Sequence, residues 1–153
     1  MASGSKTFLR PELRELVERS VNWPRWERVI GENGITIDRP HGSHHPDHPA
    51  IIYPIDYGYV NGTLGTDGNE LDVFVGSAST RLVGTMITID YRKGDTEFKL
   101  IYDCSPAEIY AVNGFINFDR RLMEGELALR WEMPEIWRLA NPGAHDNPPE
   151  REV

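Results

Sequence analysis

Tyr57-Gly58-Tyr59-Val60-Asn61-Gly62-Thr63-Leu64-Gly65-Thr66-Asp67-Gly68-Asn69-Glu70-Leu71-Asp72 is the stretch on which the reading of this chain turns. It sets two Asp around an Asp-Gly turn that runs into the apolar segment Leu71 to Val75, which reads as a buried strand. Asp67 at the turn and Asp72 at the strand entry can therefore converge. Hard cations such as Mg²⁺ take oxygen ligands from one or two carboxylates, completed by waters and substrate phosphates. Taken alone, the same turn reads first as an ordinary Asp-Gly hairpin followed by a solvated strand-edge carboxylate.

Working outward, further short β signals lie at Ala50 to Tyr53, Met86 to Asp90 and Phe98 to Tyr102, each bounded by Gly, Asp or polar residues. Arg28 to Asp38 reads as strand, turn and strand: Val29 and Ile30, then Gly31 to Gly34, then Ile35 and Ile37 alternating with Thr36. Pro40 to Pro49 has no periodicity and is read as a loop. Pro11 with Leu13, Leu16 and Val17 predicts a helix to about Ser20. Ser105-Pro106-Ala107-Glu108 is a capping box, so a second helix starts at Pro106 and turns Ile109, Val112, Phe115 and Ile116 inward. Pro134 to Leu139 reads as a third helix. Closely spaced short strands predict a small barrel or sandwich.

The length of 153 residues with 39% apolar content suits one domain, taken as residues 7–140 between flexible termini at 1–6 and 141–153. A formal charge of -8 argues against a nucleic-acid or anionic-membrane partner, which would need clustered Lys and Arg. A local basic cluster is then what would bind an anion. One cysteine, Cys104, and no long apolar run predict a reducing, cytoplasmic setting, with Cys104 as a small core residue.

With its surroundings, the opening stretch resembles the signature of soluble (family I) inorganic pyrophosphatases. Tyr57-Gly58-Tyr59, Asn61-Gly62-Thr63-Leu64 and Asp67-Gly68-Asn69-Glu70-Leu71-Asp72 stand for a Tyr-Gly-Tyr-like element, Asn-x-Thr-Leu and an Asp-Gly-Asp-Pro-x-Asp metal turn. Upstream, Asp38-Arg39 resembles the family's phosphate-binding Asp-Arg, and Arg25 with Glu27 its Lys-x-Glu. Downstream, Asp90, Asp95, Glu97 and Lys99 look like its second acidic group and Lys. The resemblance covers roughly residues 25 to 105. It implies an α+β, mainly β fold: a five-stranded OB-like barrel with flanking helices and the site in its mouth. It implies hydrolysis of pyrophosphate by metal-activated water. Glu27, Asp67, Asp72, Asp90, Asp95 and Glu97 would hold Mg²⁺, with Mn²⁺, Co²⁺ or Zn²⁺ as alternatives; Arg25, Arg39, Tyr57 and Lys99 would hold the phosphates. The resemblance also implies homo-oligomeric assembly, as in bacterial relatives.

The sequence departs from that pattern at several places. The middle Asp of the metal turn is Asn69, which cannot take a proton from water, leaving Glu70 or the metals to do so. Arg25 replaces a Lys, Leu16 stands where an acidic residue is expected, and the Tyr-Lys pair of the C-terminal helix has no counterpart near Asn117 to Arg121. Three functions are thus carried forward: a pyrophosphatase using Asn69, Glu70, Tyr57 and Asp67 in catalysis, a hydrolase of another phosphoanhydride, and a non-catalytic phosphate-binding homologue. The loop His41 to His48 reads either as a solvated loop or as a site for a borderline metal.

Overall fold

The computed structural model describes residues 11–64, 69–91 and 93–144. Two helices open the chain, α1 (Pro11–Ser20) and α2 (Trp23–Asn33). Strands β1 (Ile35–Arg39), β2 (Asp56–Val60), β3 (Leu71–Val75), β4 (Leu82–Asp90) and β5 (Asp95–Tyr102) follow. Helix α3 (Pro106–Ile116), strand β6 (Met123–Leu129) and helix α4 (Met133–Ala140) complete the order. The strands form one six-stranded sheet in the order β1-β2-β3-β5-β4-β6.

The sheet has one strand more than the five expected. Strand β6 has no β-branched residue, but it alternates Met123, Gly125, Leu127 and Leu129 with Glu124 and Glu126, and it pairs antiparallel with β4 along its length. β2 is the other strand the sequence reading passed over. Gly58 at its centre admits β1, because a Cβ there would strike the Thr36 carbonyl oxygen.

A second correction concerns Arg28 to Asp38. The predicted hairpin is the end of α2 followed by β1. Asn22 caps the helix by accepting the Arg25 N–H at 3.1 Å, and Pro24 occupies the first turn. Trp23, Trp26 and Ile30 fall on one face and pack on Val60, Val73, Leu82 and Leu100. That burial outweighs the β preference of the Val29-Ile30 pair. Gly34, at φ +80°, ends the helix in a backbone conformation that L side chains rarely adopt. The expected strand Ala50 to Tyr53 is likewise no strand: only Ile52 bridges, to His44, while the loop is closed by Tyr53 N–H to Ser43 O at 3.0 Å and Gly42 N–H to Tyr53 O at 2.9 Å.

The predicted starts at Pro11 and Pro106 and the strand Leu71 to Val75 are as observed. Ser105 and Glu108 form the reciprocal capping box, at 3.3 Å and 2.9 Å. One face of the sheet buries Tyr57, Phe74, Met86 and Ile101 under Ile109, Val112 and Ile116 of α3 and Ile136 of α4; Cys104 belongs to this core. Each such large apolar side chain stabilises the fold by roughly 1.5–3 kcal/mol. The other face is covered by α2 over Val60, Val73, Leu82 and Leu100, and by Val17 of α1 with Val21 over Ile87 and Ala128.

A tyrosine, lysine and carboxylate cluster as candidate active site

One strand pair in the sheet is parallel. Because β3 and β5 run side by side in that sense, Asp72 falls directly opposite Lys99. Tyr57 reaches the same point from β2, whose register sets it against Phe74. The Lys99 ammonium is surrounded by three oxygens: Asp72 Oδ2 at 2.9 Å, Tyr57 OH at 3.0 Å and Glu97 Oε1 at 3.4 Å. Three N–H donors thus meet three acceptors, which is the condition for burying an ammonium. Tyr57 OH in turn donates to Asp72 Oδ2 at 2.6 Å. The Lys99 side chain is 9% exposed and that of Asp72 28%, so Asp72 is the member that solvent can reach.

The electrostatics follow from this packing. Burial pushes the Tyr57 phenol well above its ordinary value, and Asp72 reinforces the shift against the opposing effect of Lys99. Burial works against the Lys99 charge, but Tyr57 and Asp72 outweigh it and hold the ammonium protonated above the usual lysine range. At neutral pH the cluster therefore contains a neutral phenol, a fixed cation and carboxylates.

Arg39 ends β1 and points its guanidinium at two tyrosines. Nη1 donates to Tyr53 OH at 2.5 Å, and Cζ lies 5.5 Å from the Tyr53 ring centroid and 5.9 Å from that of Tyr57. Lys99 Nζ lies 5.5 Å from the Tyr57 centroid. Both cations predicted for phosphate therefore flank Tyr57. Tyr53 is a site residue that the sequence reading had not assigned; only the folding back of the His-rich loop brings it beneath Arg39. Its ring stacks with that of His45 at 6.4 Å.

The other predicted positions fall in three places. Arg25, Glu70, Asp72 and Glu97 line a cleft of about 510 Å³ between α2 and the sheet. Asn69 and Glu70 are exposed just ahead of β3, and Asp67 lies outside the described residues. Asp90 and Asp95 face each other at the closed end of the β4–β5 hairpin, where Asp90 accepts from Lys93 N–H at 3.3 Å. Asp95, Glu97 and Lys99 share a face of β5, but Asp95 is about 13 Å from Lys99 along the strand at the usual rise per residue. Glu27 has different partners: it accepts from Arg130 Nη1 at 3.0 Å and from Leu82 N–H at 3.3 Å, tying α2 to β4 and to the residue that follows β6. Nothing near Glu27 in sequence signalled Arg130, which is 103 residues away. Among the described residues no three His, Cys, Asp or Glu side chains come together as a metal-holding group. Asp72 and Glu97, joined through Lys99, are the carboxylates the structure does bring together.

Thr63 closes the turn from outside its apex, donating to Val60 O at 2.7 Å and accepting Leu71 N–H at 2.9 Å. The ends of the acidic turn are thereby pinned to β2 and β3.

Taken together, the molecule is a mainly β, OB-like protein that gathers a phenol, two cations and paired carboxylates, the groups suited to a phosphate anion and a hard cation. Residues 32–102 match the family model described as inorganic pyrophosphatase. The inorganic pyrophosphatase of Mycoplasma pneumoniae is 36% identical over 72 residues, covering 40% of this chain and 39% of that protein. The Mycoplasma genitalium enzyme is 36% identical over 63 residues, 35% of this chain and 34% of that one. The match thus spans well under half the length of these relatives. Among solved structures, the inorganic pyrophosphatase of Helicobacter pylori superposes with a TM-score of 0.50 over 69% of this chain and 89% of that one, at 19% identity, which establishes the likeness of fold.

Proposed function

We propose that this protein hydrolyses inorganic pyrophosphate with the help of a divalent cation. The observation that carries the reading is the Asp72–Lys99–Tyr57 cluster within the pyrophosphatase-like stretch, beside Arg39. In this reading Lys99 supplies a fixed positive charge and Arg39 a fork of N–H donors for the phosphate oxygens. Tyr57, kept protonated by burial, donates a hydrogen bond to the same anion once Asp72 is otherwise engaged.

The donor chemistry suits Mg²⁺. Asp72 and Glu97 are hard oxygen donors, and both line the cleft in which Asp72 is the solvent-reached carboxylate. They would hold the cation, and Asp67 would join them. When bound, such a cation supplies charge neutralisation and a water of lowered pKa. Asn69 can orient that water by accepting a hydrogen bond but cannot deprotonate it; Glu70 is the neighbouring group able to do so. A cytoplasmic location and homo-oligomeric assembly form part of the same proposal. Among the described residues no helix is long and apolar enough to cross a membrane.

Two features favour a second reading, a phosphate-binding homologue without turnover: Asn69 replaces the carboxylate expected at the water, and Lys99 already meets three internal acceptors. Phosphate release from pyrophosphate by the purified chain, with Mg²⁺, Mn²⁺, Co²⁺ and Zn²⁺ in turn, separates the two. Turnover with any of them supports the hydrolase. Pyrophosphate binding without release in all four supports the second reading.

A further inference from the structure

The His-rich loop is closed on itself by backbone hydrogen bonds. His45 N–H donates to Ile51 O and Ile51 N–H to His48 O, both at 2.9 Å, beyond the bonds that tie Gly42 and Ser43 to Tyr53. Within it His44 pairs with Ile52, and both are exposed, so the alternation of an extended pair turns Ser43, His45 and Tyr53 to the inner face. Tyr53 is 4% exposed there, and the Ser43 hydroxyl oxygen is buried. The His45 ring lies nearly parallel to that of Tyr53, at 11° and 6.4 Å, and the His48 ring follows at 5.1 Å.

The imidazole is itself held in place. Asp47 N–H donates to His45 Nδ1 at 3.0 Å, so Nδ1 carries no proton and the ring is neutral, with its hydrogen on Nε2. A neutral ring suits this place, because the Tyr53 hydroxyl and ring both meet the Arg39 guanidinium, which an imidazolium would repel. Tyr57 and Phe115 also touch Tyr53, at 5.2 Å and 5.0 Å, but at tilts of 32° and 47°. His45 is the contact that the loop contributes and the one that faces Tyr53 flat. Arg39 is a long side chain whose freedom must be lost when it binds an anion, and contacts that order it beforehand lower that cost. We infer that His45 is a positioning residue for the phosphate: it holds the Tyr53 ring and, through the Tyr53 hydroxyl, sets the direction of Arg39. Its role is indirect and involves no contact with the reacting atoms. The inference rests on Arg39 as the phosphate ligand of the hydrolase reading and adds the residue that orients it.

Two substitutions separate the ring from the turn it closes. His45→Asn keeps an oxygen able to accept Asp47 N–H and loses the ring, while His45→Phe keeps a ring and loses the acceptor. His45→Asn should raise KM for pyrophosphate about fivefold with kcat within about twofold of the parent, the scale of one lost aromatic contact. His45→Phe should stay within about twofold of the parent in both constants. In a Tyr53→Phe background, where the link to Arg39 is already cut, His45→Asn should raise KM no further. An unchanged KM in His45→Asn, a loss confined to kcat, an equal loss in His45→Phe, or an equal rise in the Tyr53→Phe background each overturns the inference and leaves the hydrolase intact. If the parent releases no phosphate, the hydrolase reading fails and calorimetry with pyrophosphate decides the role of His45. A Kd raised about fivefold by His45→Asn and kept by His45→Phe supports it. No binding by the parent, a Kd that neither variant changes, or one that both raise overturns it.

Discussion

Asp72 and Lys99 stand opposite one another on the parallel strands β3 and β5, with Nζ 2.9 Å from Oδ2 in a setting where the lysine is almost fully enclosed. A parallel pair needs a long crossover, and here the chain forms β4 between β3 and β5, which are neighbours in the sheet. The two residues lie 27 positions apart in sequence and meet only when that crossover is complete. Replacing Asp72 with Asn keeps the shape and removes the charge facing the ammonium. The variant should lose about 1.5–3 kcal/mol of stability, read as a lowered urea midpoint at unchanged slope. An unaltered midpoint would mean that Lys99 is satisfied by Tyr57 and Glu97 alone.

The same enclosure predicts how the protein responds to base. Both Tyr57 and Lys99 have their folded-state pKa raised above the ordinary value. Their contribution is therefore fully present below about pH 10, the unfolded value for both types, and is lost as pH rises beyond it. Absorbance at 295 nm should show Tyr57 ionising late and together with unfolding, and Tyr57→Phe should remove that late step. A Tyr57 that titrates near pH 10 in the folded protein would contradict the burial argument.

At the other end of the pH scale, Glu108 is the residue to watch. Burial alone would raise its carboxyl, but N–H donors from Ser105 and Ser77 and the Ser77 hydroxyl hold it below the ordinary carboxylate range. Its stabilisation is present above the unfolded value near pH 4.3 and is lost as pH falls through the lower folded one. Glu108→Gln should cost about 1 kcal/mol at pH 7, partly exposed as the site is, and should flatten the acid side of the stability curve. A difference from the parent that stayed constant between pH 7 and pH 3 would show that the charge is immaterial.

Gly58 marks the closest approach of β1 to β2. Ala at this position must push back the backbone of Thr36 and Ile37, since the clashing atoms belong to the main chain. A loss of at least about 1–3 kcal/mol is expected from such overpacking, with loss of phosphate binding because Arg39 ends the displaced strand. Wild-type thermal stability in Gly58→Ala would refute the register given for β1 and β2.

The acidic turn yields the mechanistic prediction. If Asn69 only positions water, Asn69→Asp should raise the rate at neutral pH, within the ~10²–10⁴-fold range of general-base help. If Glu70 is the base, Asn69→Asp should change little and Glu70→Gln should lower kcat by at least about 10²-fold. No change in either variant would remove both residues from the proton transfer.

Much of this architecture is legible in the sequence. The strand Leu71 to Val75 and the helix at Pro106 were marked by local chemistry, an apolar run after a turn and a reciprocal cap, and both elements begin where those signals fall. Glu27 and the Val29-Ile30 pair were misplaced for the opposite reason: their state is decided by distant partners, Arg130 for the one and Val60, Leu82 and Leu100 for the other. Lys99 and Arg39 were nominated by pattern, but Tyr53 under Arg39 depends on the path of the His-rich loop, which has no periodicity to read. Asp90 and Asp95 share a hairpin end, and in sequence nothing distinguished their distance from Lys99 from that of Glu97.

The central claim is that the Lys99 cluster turns over pyrophosphate. The direct measurement is steady-state phosphate release with Mg²⁺ by the parent and by Lys99→Met, after circular dichroism has shown both folded. The account predicts turnover by the parent and a fall of at least about 10²-fold in kcat/KM for the variant, the scale of one lost charged contact to the reacting phosphates. Turnover in Lys99→Met equal to the parent's, or none in a folded parent with any divalent cation, would contradict it.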